Sequence, residues 1–521
     1  MSAEQPPVPL PQASRDLRTA AVGPLANQVS PKYLEEHSLL PLGLAEDGSL
    51  LVAVSGPLDP AVADELRQTY GRRLTLVEAP AAEIHSAILS ASNEAPSTLS
   101  RDGDLELLAP EEEAIDDLRS LASQAPVIKL VNVILLEALR LRASDVHLES
   151  TAQGLRVRYR IDGVLQEVAN PPRQYQAAVI SRIKIMASLN IAERRQPQDG
   201  RIRLRLSDRE LDLRVSTLPA LHGESVVLRI LDRGSGVPEL ADLGMSETAL
   251  ASFARLIRLP HGIILVTGPT GSGKTTTLYG ALRRINEPGV KIVTVEDPVE
   301  YQIEGLTQVP VAAKGGLTFA SALRSILRHD PDIIMVGEMR DTETAEISIQ
   351  AALTGHLVFS TLHTNDAPGG LTRLADMGVE PYLVAAVVRG LLAQRLVRMV
   401  CESCAEPYQP SASELGQAAP PGSLRAGVWE NGATRPMFRR GRGCDACANS
   451  GYRGRTGIYE LMTVTDELRA RVVAGSPLDE IRALARAQGM VPLREDGWAK
   501  VCSGVTTIEE LLRVTSEDQP Q

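Results

Sequence analysis

Aromatic side chains are scarce in this sequence, 3% of 521 residues, and basic residues are outnumbered, 54 Lys and Arg against 65 Asp and Glu, for a formal net charge of −11. Nucleic-acid binding needs cationic grooves that track phosphates and rings on which bases stack, so no nucleic-acid partner is expected. Long apolar runs are missing too. No stretch offers about 18 uninterrupted apolar residues, and the opening MSAEQPPVPLPQASRD has no basic segment leading into an apolar core. Nothing is therefore expected to target or span a membrane, and any membrane contact would be indirect, through a partner. The most apolar late stretch, YLVAAVVRGLLAQRLVRMV from Tyr382, is interrupted by Arg389, Gln394, Arg395 and Arg398 and reads as an amphipathic domain helix. Cysteine is rare, five residues, yet four form the pairs Cys401/Cys404 and Cys444/Cys447, with Cys502 alone. Without a secretion leader, that pattern favours metal over disulfides.

What is present suits a folded, modular protein: 43% hydrophobic and 23% charged residues, at a length that suggests roughly three or four domains. A Pro-, Ala- and Gln-rich lead of about thirty residues is expected to be flexible. It gives way to a small α/β module in which apolar runs such as LLVAVS are separated by turns. Residues 1–92 form this first domain. An acidic linker follows at 93–120, with eight Asp/Glu against two Arg between Arg101 and Ser120. A second, α+β domain is expected at 121–235: a helix from about Pro126, then strands with period-two alternation such as LRVRYRI, where Leu155, Val157, Tyr159 and Ile161 share one face. This region is locally basic, 15 Lys/Arg against 9 Asp/Glu over 151–235. The residues alone favour a solvated or intersubunit face there. From about Leu240, strand-like runs (IILVT, KIVTV, DIIMV, LVFST) alternate with helical patterns, which implies a parallel sheet covered by helices, with ligands beyond the carboxyl ends of its strands.

GPTGSGKTT, formed by Gly268, Pro269, Thr270, Gly271, Ser272, Gly273, Lys274, Thr275 and Thr276, lies between a strand and a helix, the setting of a phosphate loop for ATP. Lys274 would reach the β/γ-phosphates and the Thr275 hydroxyl would bind Mg²⁺. Beyond the next strand, EDPVEY places Glu296, Asp297 and Glu300 where a carboxylate could orient or deprotonate water. In VGEMRD, Gly337 stands where many P-loop enzymes have Asp, leaving Glu338 to act through Mg²⁺ or its water. His363, at the end of the LVFST strand, is placed to sense the γ-phosphate, whereas His356 is as easily structural. Arg324 and Arg328, four apart on one helix face, read as solvated unless a phosphate or a neighbouring subunit meets them. CESC and CDAC supply four thiolates, the donor set of a structural Zn²⁺ site, with a long insertion between the knuckles.

Together SDVHLES, QPQDGRI, VSTLPALHGESVVLRIL, the phosphate loop, EDPVEY, VGEMRD, STLHTND and both cysteine pairs resemble the secretion ATPase superfamily over about residues 120–515. Within it they are similar to the general secretion pathway protein E group and the related type IV pilus assembly ATPases. The resemblance implies a RecA-like P-loop ATPase domain at 236–400 preceded by a PAS-like domain at 121–235. A tetracysteine zinc module at 401–450 and a C-terminal helical subdomain at 451–521 would follow. It implies a cytoplasmic homo-hexamer peripheral to the inner membrane, whose ATP hydrolysis drives assembly of a pilus-like fibre. Arg214 and Arg229, with Arg324 and Arg328, would neutralise phosphate charge. Glu296 would be the general base and Glu338 the metal-side residue. The first domain resembles one that docks on the inner-membrane L protein of a secretion system, and an inner-membrane platform protein is a second expected partner. No clear cyclic-di-GMP-binding repeat is seen near the N-terminus, which favours secretion over pilus assembly. A nucleic-acid translocase and a non-hydrolysing nucleotide switch remain as rivals.

Overall fold

A computed structural model describes residues 8–9, 33–34, 37–45, 47–81, 83–84, 105–107, 125–206, 209–232, 236–312, 315–420 and 437–516. The chain divides into two units, residues 1–103 and 104–521.

In the first unit, β1 (Val8–Pro9), β2 (Leu39–Leu44), β3 (Leu50–Val54) and β4 (Leu74–Glu78) form a sheet in the order β1-β4-β3-β2. Strands β3 and β4 are parallel and joined by helix α1 (Pro60–Tyr70). The helix starts where the Asp59 side chain accepts a hydrogen bond from Ala61 N and Pro60 pre-sets the first turn, and it stops at left-handed Gly71. Leu66 and Val62 of α1 bury against Leu39, Leu50 and Val52, the small α/β core expected from the sequence. Val8 and Pro9, within the expected flexible lead, pair with Val77 and Glu78; the rest of that lead lies outside the described residues.

The second unit opens with a seven-stranded antiparallel sheet. Its strands are β5 (Leu105–Leu107), β6 (Ala143–Ser150), β7 (Leu155–Ile161), β8 (Val164–Ala169), β9 (Gln198–Leu206), β10 (Arg209–Ala220) and β11 (Gly223–Asp232), in the order β5-β9-β10-β11-β6-β7-β8. Helices α2 (Ala125–Arg140) and α3 (Arg173–Met186) share its apolar core with Leu155, Val157, Tyr159 and Ile161, the face read from the alternation. Tyr159 Oη donates to Ile134 O at 2.7 Å, which satisfies the one polar atom it carries into that core. Strand β5 falls inside the expected acidic linker and pairs with β9, while the rest of 93–120 lies outside the described residues.

The second sheet of this unit is built from α/β repeats: α4 (Glu247–Leu256), β12 (Gly262–Thr267), α5 (Lys274–Ile285), β13 (Ile292–Glu296), β14 (Thr307–Pro310), α6 (Phe319–Ile326), β15 (Ile333–Val336), α7 (Thr342–Leu353), β16 (Leu357–Leu362), α8 (Pro368–Asp376), α9 (Pro381–Val387) and β17 (Val388–Val400). Its order is β14-β13-β15-β16-β12-β17-β20, parallel except for the last strand, β20 (Tyr452–Thr463). Apolar cores lie on both faces, and β12, β15 and β16 are buried along their whole length.

The stretch from Tyr382 departs from its expected helix. Only Pro381–Val387 is helical; Val388–Val400 is a 13-residue strand. Tertiary context decides it, because β17 lies between β12 and β20 and is covered on both faces. The polar residues that suggested amphipathicity are partnered instead. Gln394 Oε1 accepts from Thr277 Oγ1 at 2.7 Å, Arg395 Nη1 donates to Val514 O at 2.7 Å, and Arg398 pairs with Glu510 at 2.8 Å. Gly390 permits the fit, since a Cβ there would lie 2.7 Å from Leu256 Cδ1.

Residues 401–451 leave the sheet at Val400 and return at its cross-strand partner Tyr452. They hold β18 (Ala405–Pro407), α10 (Ala412–Ala418) and β19 (Arg439–Gly441). Residues 451–521, expected as a helical subdomain, also supply β20 to this parallel sheet before α11 (Asp466–Val473), α12 (Leu478–Ala487), α13 (Leu493–Cys502) and α14 (Ile508–Thr515). No helix among the described residues is long and apolar enough to cross a membrane.

Candidate active site and metal centre

The phosphate loop runs from the end of β12 into α5. Two glycines are fixed by the strand beneath: a Cβ at Gly268 (φ 146°) would lie 2.3 Å from Gln394 O, and one at Gly273 (φ 86°) 2.8 Å from Gln394 Nε2. Helix α5 begins with Gly273 at its N-cap and no side-chain cap, so its first N–H groups remain available to an anion. Lys274 Nζ donates to Gly268 O at 2.8 Å and Pro269 O at 3.0 Å. Burial pulls this ammonium down to about 8, with the Glu338 carboxylate opposing the shift.

A cavity of about 480 Å³ opens over the loop. Its floor is Thr270 to Thr276, and its walls include Glu296, Asp297, Glu300, Glu338 and His363, so the sequence motifs converge as expected. Glu296 is only 3% exposed. Its Oε1 accepts from Thr294 Oγ1 at 2.5 Å and Gln308 Nε2 at 3.2 Å, and its Oε2 accepts from Tyr279 Oη. Glu338 follows Gly337, whose N–H bonds Val295 O at 2.8 Å. A Cβ at Gly337 would come within 3.3 Å of that same oxygen, so this strand end is held tightly against β13. Glu338 Oε2 contacts Arg340 Nε at 2.6 Å and His363 Nε2 at 3.7 Å. Burial, and after it the Lys274 charge, lowers the His363 ring below its ordinary value, which favours the neutral form.

His356 sits at the opposite end of β16 from His363. Its Nδ1 lies 2.9 Å from Ala351 O and 3.2 Å from Thr354 Oγ1, a structural tie to the end of α7. The arginines divide. Arg214 and Arg229 are cross-strand neighbours on β10 and β11. Arg214 Nη1 reaches Glu300 Oε1 at 3.8 Å, at the cavity rim, whereas Arg229 Nε is held by Asp145 Oδ1 at 3.0 Å. Arg324 pairs with Glu343 at 2.5 Å, and Arg328, just past the end of α6, donates to Arg324 O at 2.8 Å. None of the four lines the cavity of its own chain, and Arg214 approaches it only through Glu300.

Sequence reasoning missed several contributors. Arg455 of β20 and Leu231 of β11 line the cavity, and Gln394 backs the loop. Only the pairing of β20 with β17 carries Arg455 there, where Asp162 of the α+β domain accepts from Gly454 N at 2.8 Å and lies 3.9 Å from Arg455 Nε. No local pattern signals such a placement.

All four paired cysteine sulfurs lie within 4.8 Å of one another. Separations of 3.9 Å for Cys401–Cys444, 3.9 Å for Cys404–Cys447 and 3.7 Å for Cys444–Cys447 match the edges of a tetrahedron, about 3.8 Å for sulfurs about 2.3 Å from zinc. The Cys447 sulfur also accepts from Cys444 N at 3.2 Å and Gly451 N at 3.3 Å, as thiolate ligands do. The cluster therefore fits a tetrahedral metal ion with no open position.

Residues 120–513 match the family model of the type II/IV secretion system protein, and residues 9–97 match the MshEN domain. The chain is 50% identical to type II secretion system protein E of Xanthomonas campestris pv. campestris, over 95% of this chain and 86% of that one. It is 44% identical to the type IV pilus assembly ATPase PilB of Myxococcus xanthus, over 97% and 89%. Among solved structures, the pilus retraction motor PilT with bound ADP aligns at a TM-score of 0.51 and 25% identity, over 75% of this chain and 97% of that one. With its phosphate loop, acidic strand ends and cysteine cluster arranged as described, the chain belongs to the type II/IV secretion system protein family and is an ATP hydrolase of that family.

Proposed function

We propose that this protein is the ATP-driven motor of a type II secretion system, acting as a cytoplasmic homo-hexamer that powers assembly of a pseudopilus. The observation that carries an energy-transducing role is the contact of Arg214 with Glu300. It joins the α+β domain to the rim of the nucleotide cavity, so a change in nucleotide can move one domain against the other. Likeness to the Xanthomonas protein over nearly the whole chain supports the secretion assignment.

In this reading the N-terminus of α5 and Lys274 hold the ATP phosphates, and the Thr275 hydroxyl and Glu338 face Mg²⁺. The bound ion would supply charge neutralisation of the phosphates. Glu296, with three donors and lone-pair capacity left, orients and deprotonates the attacking water. Neutral His363 donates to or accepts from the γ-phosphate side, and Arg214 and Arg229, with Arg324 and Arg328 of an adjoining subunit, complete the charge on closure. Zn²⁺ held by Cys401, Cys404, Cys444 and Cys447 has a structural role.

Residues 1–92 dock on the L-type inner-membrane protein and the motor meets the platform protein, so the chain is peripheral to the inner membrane and touches no nucleic acid. Residues 93–120 link that domain to the PAS-like domain at 121–235, the RecA-like domain at 236–400, the zinc module and the C-terminal subdomain. The competing reading is a type IV pilus assembly motor, favoured by the match to PilB over 97% of the chain. Deleting the gene and assaying both secreted proteins and surface pili separates the two: retained secretion with lost pili would overturn the secretion reading.

A further inference from the structure

Tyr279 stands on α5 five residues beyond Lys274, and it is 0% exposed. Its ring packs edge-on against Tyr301, with centroids 6.0 Å apart, a contact that a phenylalanine would make equally well. The hydroxyl is different. Burying it costs free energy unless it is bonded, so its presence needs a polar reason. That reason is the acidic box: Tyr279 Oη donates to Glu296 Oε2 and accepts from Glu300 N at 3.2 Å. Burial, and after it the Glu296 bond, raises the phenol well above its ordinary value, so it remains a donor. The two oxygens of Glu296 are served separately, Oε1 by Thr294 and Gln308 and Oε2 by Tyr279. Glu300, whose backbone the phenol fixes, carries the carboxylate that faces Arg214.

We infer that Tyr279 is a positioning residue for ATP hydrolysis, its hydroxyl tying the phosphate-loop helix to the Glu296 carboxylate and to the Glu300 backbone so that turnover, not ATP binding, depends on it. The inference rests on the reading of Glu296 as base. Without the phenol, Oε2 is released and the carboxylate is free to rotate about its remaining bonds to Oε1, while the phosphate loop and Lys274 keep their contacts. The same hydroxyl also sets where Glu300 offers its carboxylate to the neighbouring domain.

The test is a double-mutant cycle with Tyr279→Phe and Glu296→Gln in the full-length protein, measuring kcat, KM for ATP and the Kd of a non-hydrolysable ATP analogue. Tyr279→Phe is expected to lower kcat about tenfold to a hundredfold, the scale of a misplaced catalytic group. KM and Kd should stay within twofold of wild type. Added to Glu296→Gln, it should cost little more, because the group it positions is already gone. Unchanged kcat in Tyr279→Phe overturns the inference, as does a fully additive loss in the double variant. So does a loss of analogue binding or of folding in Tyr279→Phe, which would make the phenol a support of the loop or core. Wild-type turnover in Glu296→Gln instead overturns the base assignment itself, a result distinct from failure of the phenol's role.

Discussion

Lys274 shows how a single side chain is prepared for its ligand. Its ammonium is held by two carbonyls of the loop itself, and burial lowers its pKa to about 8. In the proposed role a nucleotide would replace those partners with phosphate charge. Lys274→Ala is expected to abolish hydrolysis while thermal unfolding of the nucleotide-free protein changes little, since the ammonium packs against loop carbonyls and not core. Steady-state hydrolysis near the wild-type rate would sink the assignment. At this scale most of the site was legible, because the phosphate loop, Glu296, Glu338 and His363 each occupy the end of a strand whose pattern is plain. Gln394, Arg455 and Tyr279 were not legible. Their partners come from residues such as Thr277, Asp162 and Glu296 that only tertiary structure brings near, and no spacing rule spans such distances.

Among the elements, β17 is the instructive one. Its sequence suggests a helix because polar residues interrupt an apolar run at irregular intervals, yet the chain there is a strand buried on both faces. Such strands lack alternation by nature, so period alone cannot separate them from helices. The charges are instead absorbed by distant elements. Arg398 stacks 4.0 Å over the Tyr452 ring and pairs with Glu510 of α14, whose side chain is fully buried. Burial pushes Glu510 up, but Arg513 and Arg398 together hold it below its ordinary 4.5. A carboxylate depressed in the folded state adds stability above the unfolded-state value and loses it as pH falls through the folded one. Glu510→Gln should therefore destabilise the α14 contact by about 3 kcal/mol at pH 7, because Arg398 is left without a countercharge in a nearly buried position. Hydrogen exchange of the Ile508–Thr515 amides is the measurement. The gap between wild type and variant should be full at pH 7 and shrink as pH falls below the ordinary 4.5 and through the depressed folded-state value; a gap that widens on acidification would contradict the ion-pair account.

For the whole molecule the question is what completes the active site. One chain brings Arg214 to the rim, but Arg229, Arg324 and Arg328 point to carboxylates or backbone of their own surroundings and stay outside the cavity. If neighbouring subunits supply or reposition them, activity must depend on assembly. Arg214→Ala and Arg229→Ala should lower turnover by up to about a thousandfold with little change in ATP affinity, since arginines of this kind act on transition-state charge. Turnover per chain should rise with protein concentration. A flat dilution series together with near-normal activity in both variants would show that each chain works alone. The alternating strands of the α+β region and the apolar strands of the parallel sheet were readable from the sequence, whereas the antiparallel return of β20 was not, because the 51 residues 401–451 separate it from its partner strand.

That return gives the cysteine cluster a bearing on solubility as well as on shape. Val400 and Tyr452 are cross-strand partners at the point where the module leaves and rejoins the sheet, so a metal ion held by the four cysteines would act as a clasp on the last hairpin. Without β20 in place, the outer edge of β17 would offer a long row of unpaired backbone groups on an apolar strand, the kind of surface that adds a strand from another molecule. Cys444→Ser, or expression under zinc chelation, is expected to move the protein into the insoluble fraction and to expose residues 401–451 to proteolysis, with zinc restoring the chelated sample but not the variant. Equal solubility with and without metal would mean that the ten paired positions of β17 and β20 close the edge unaided.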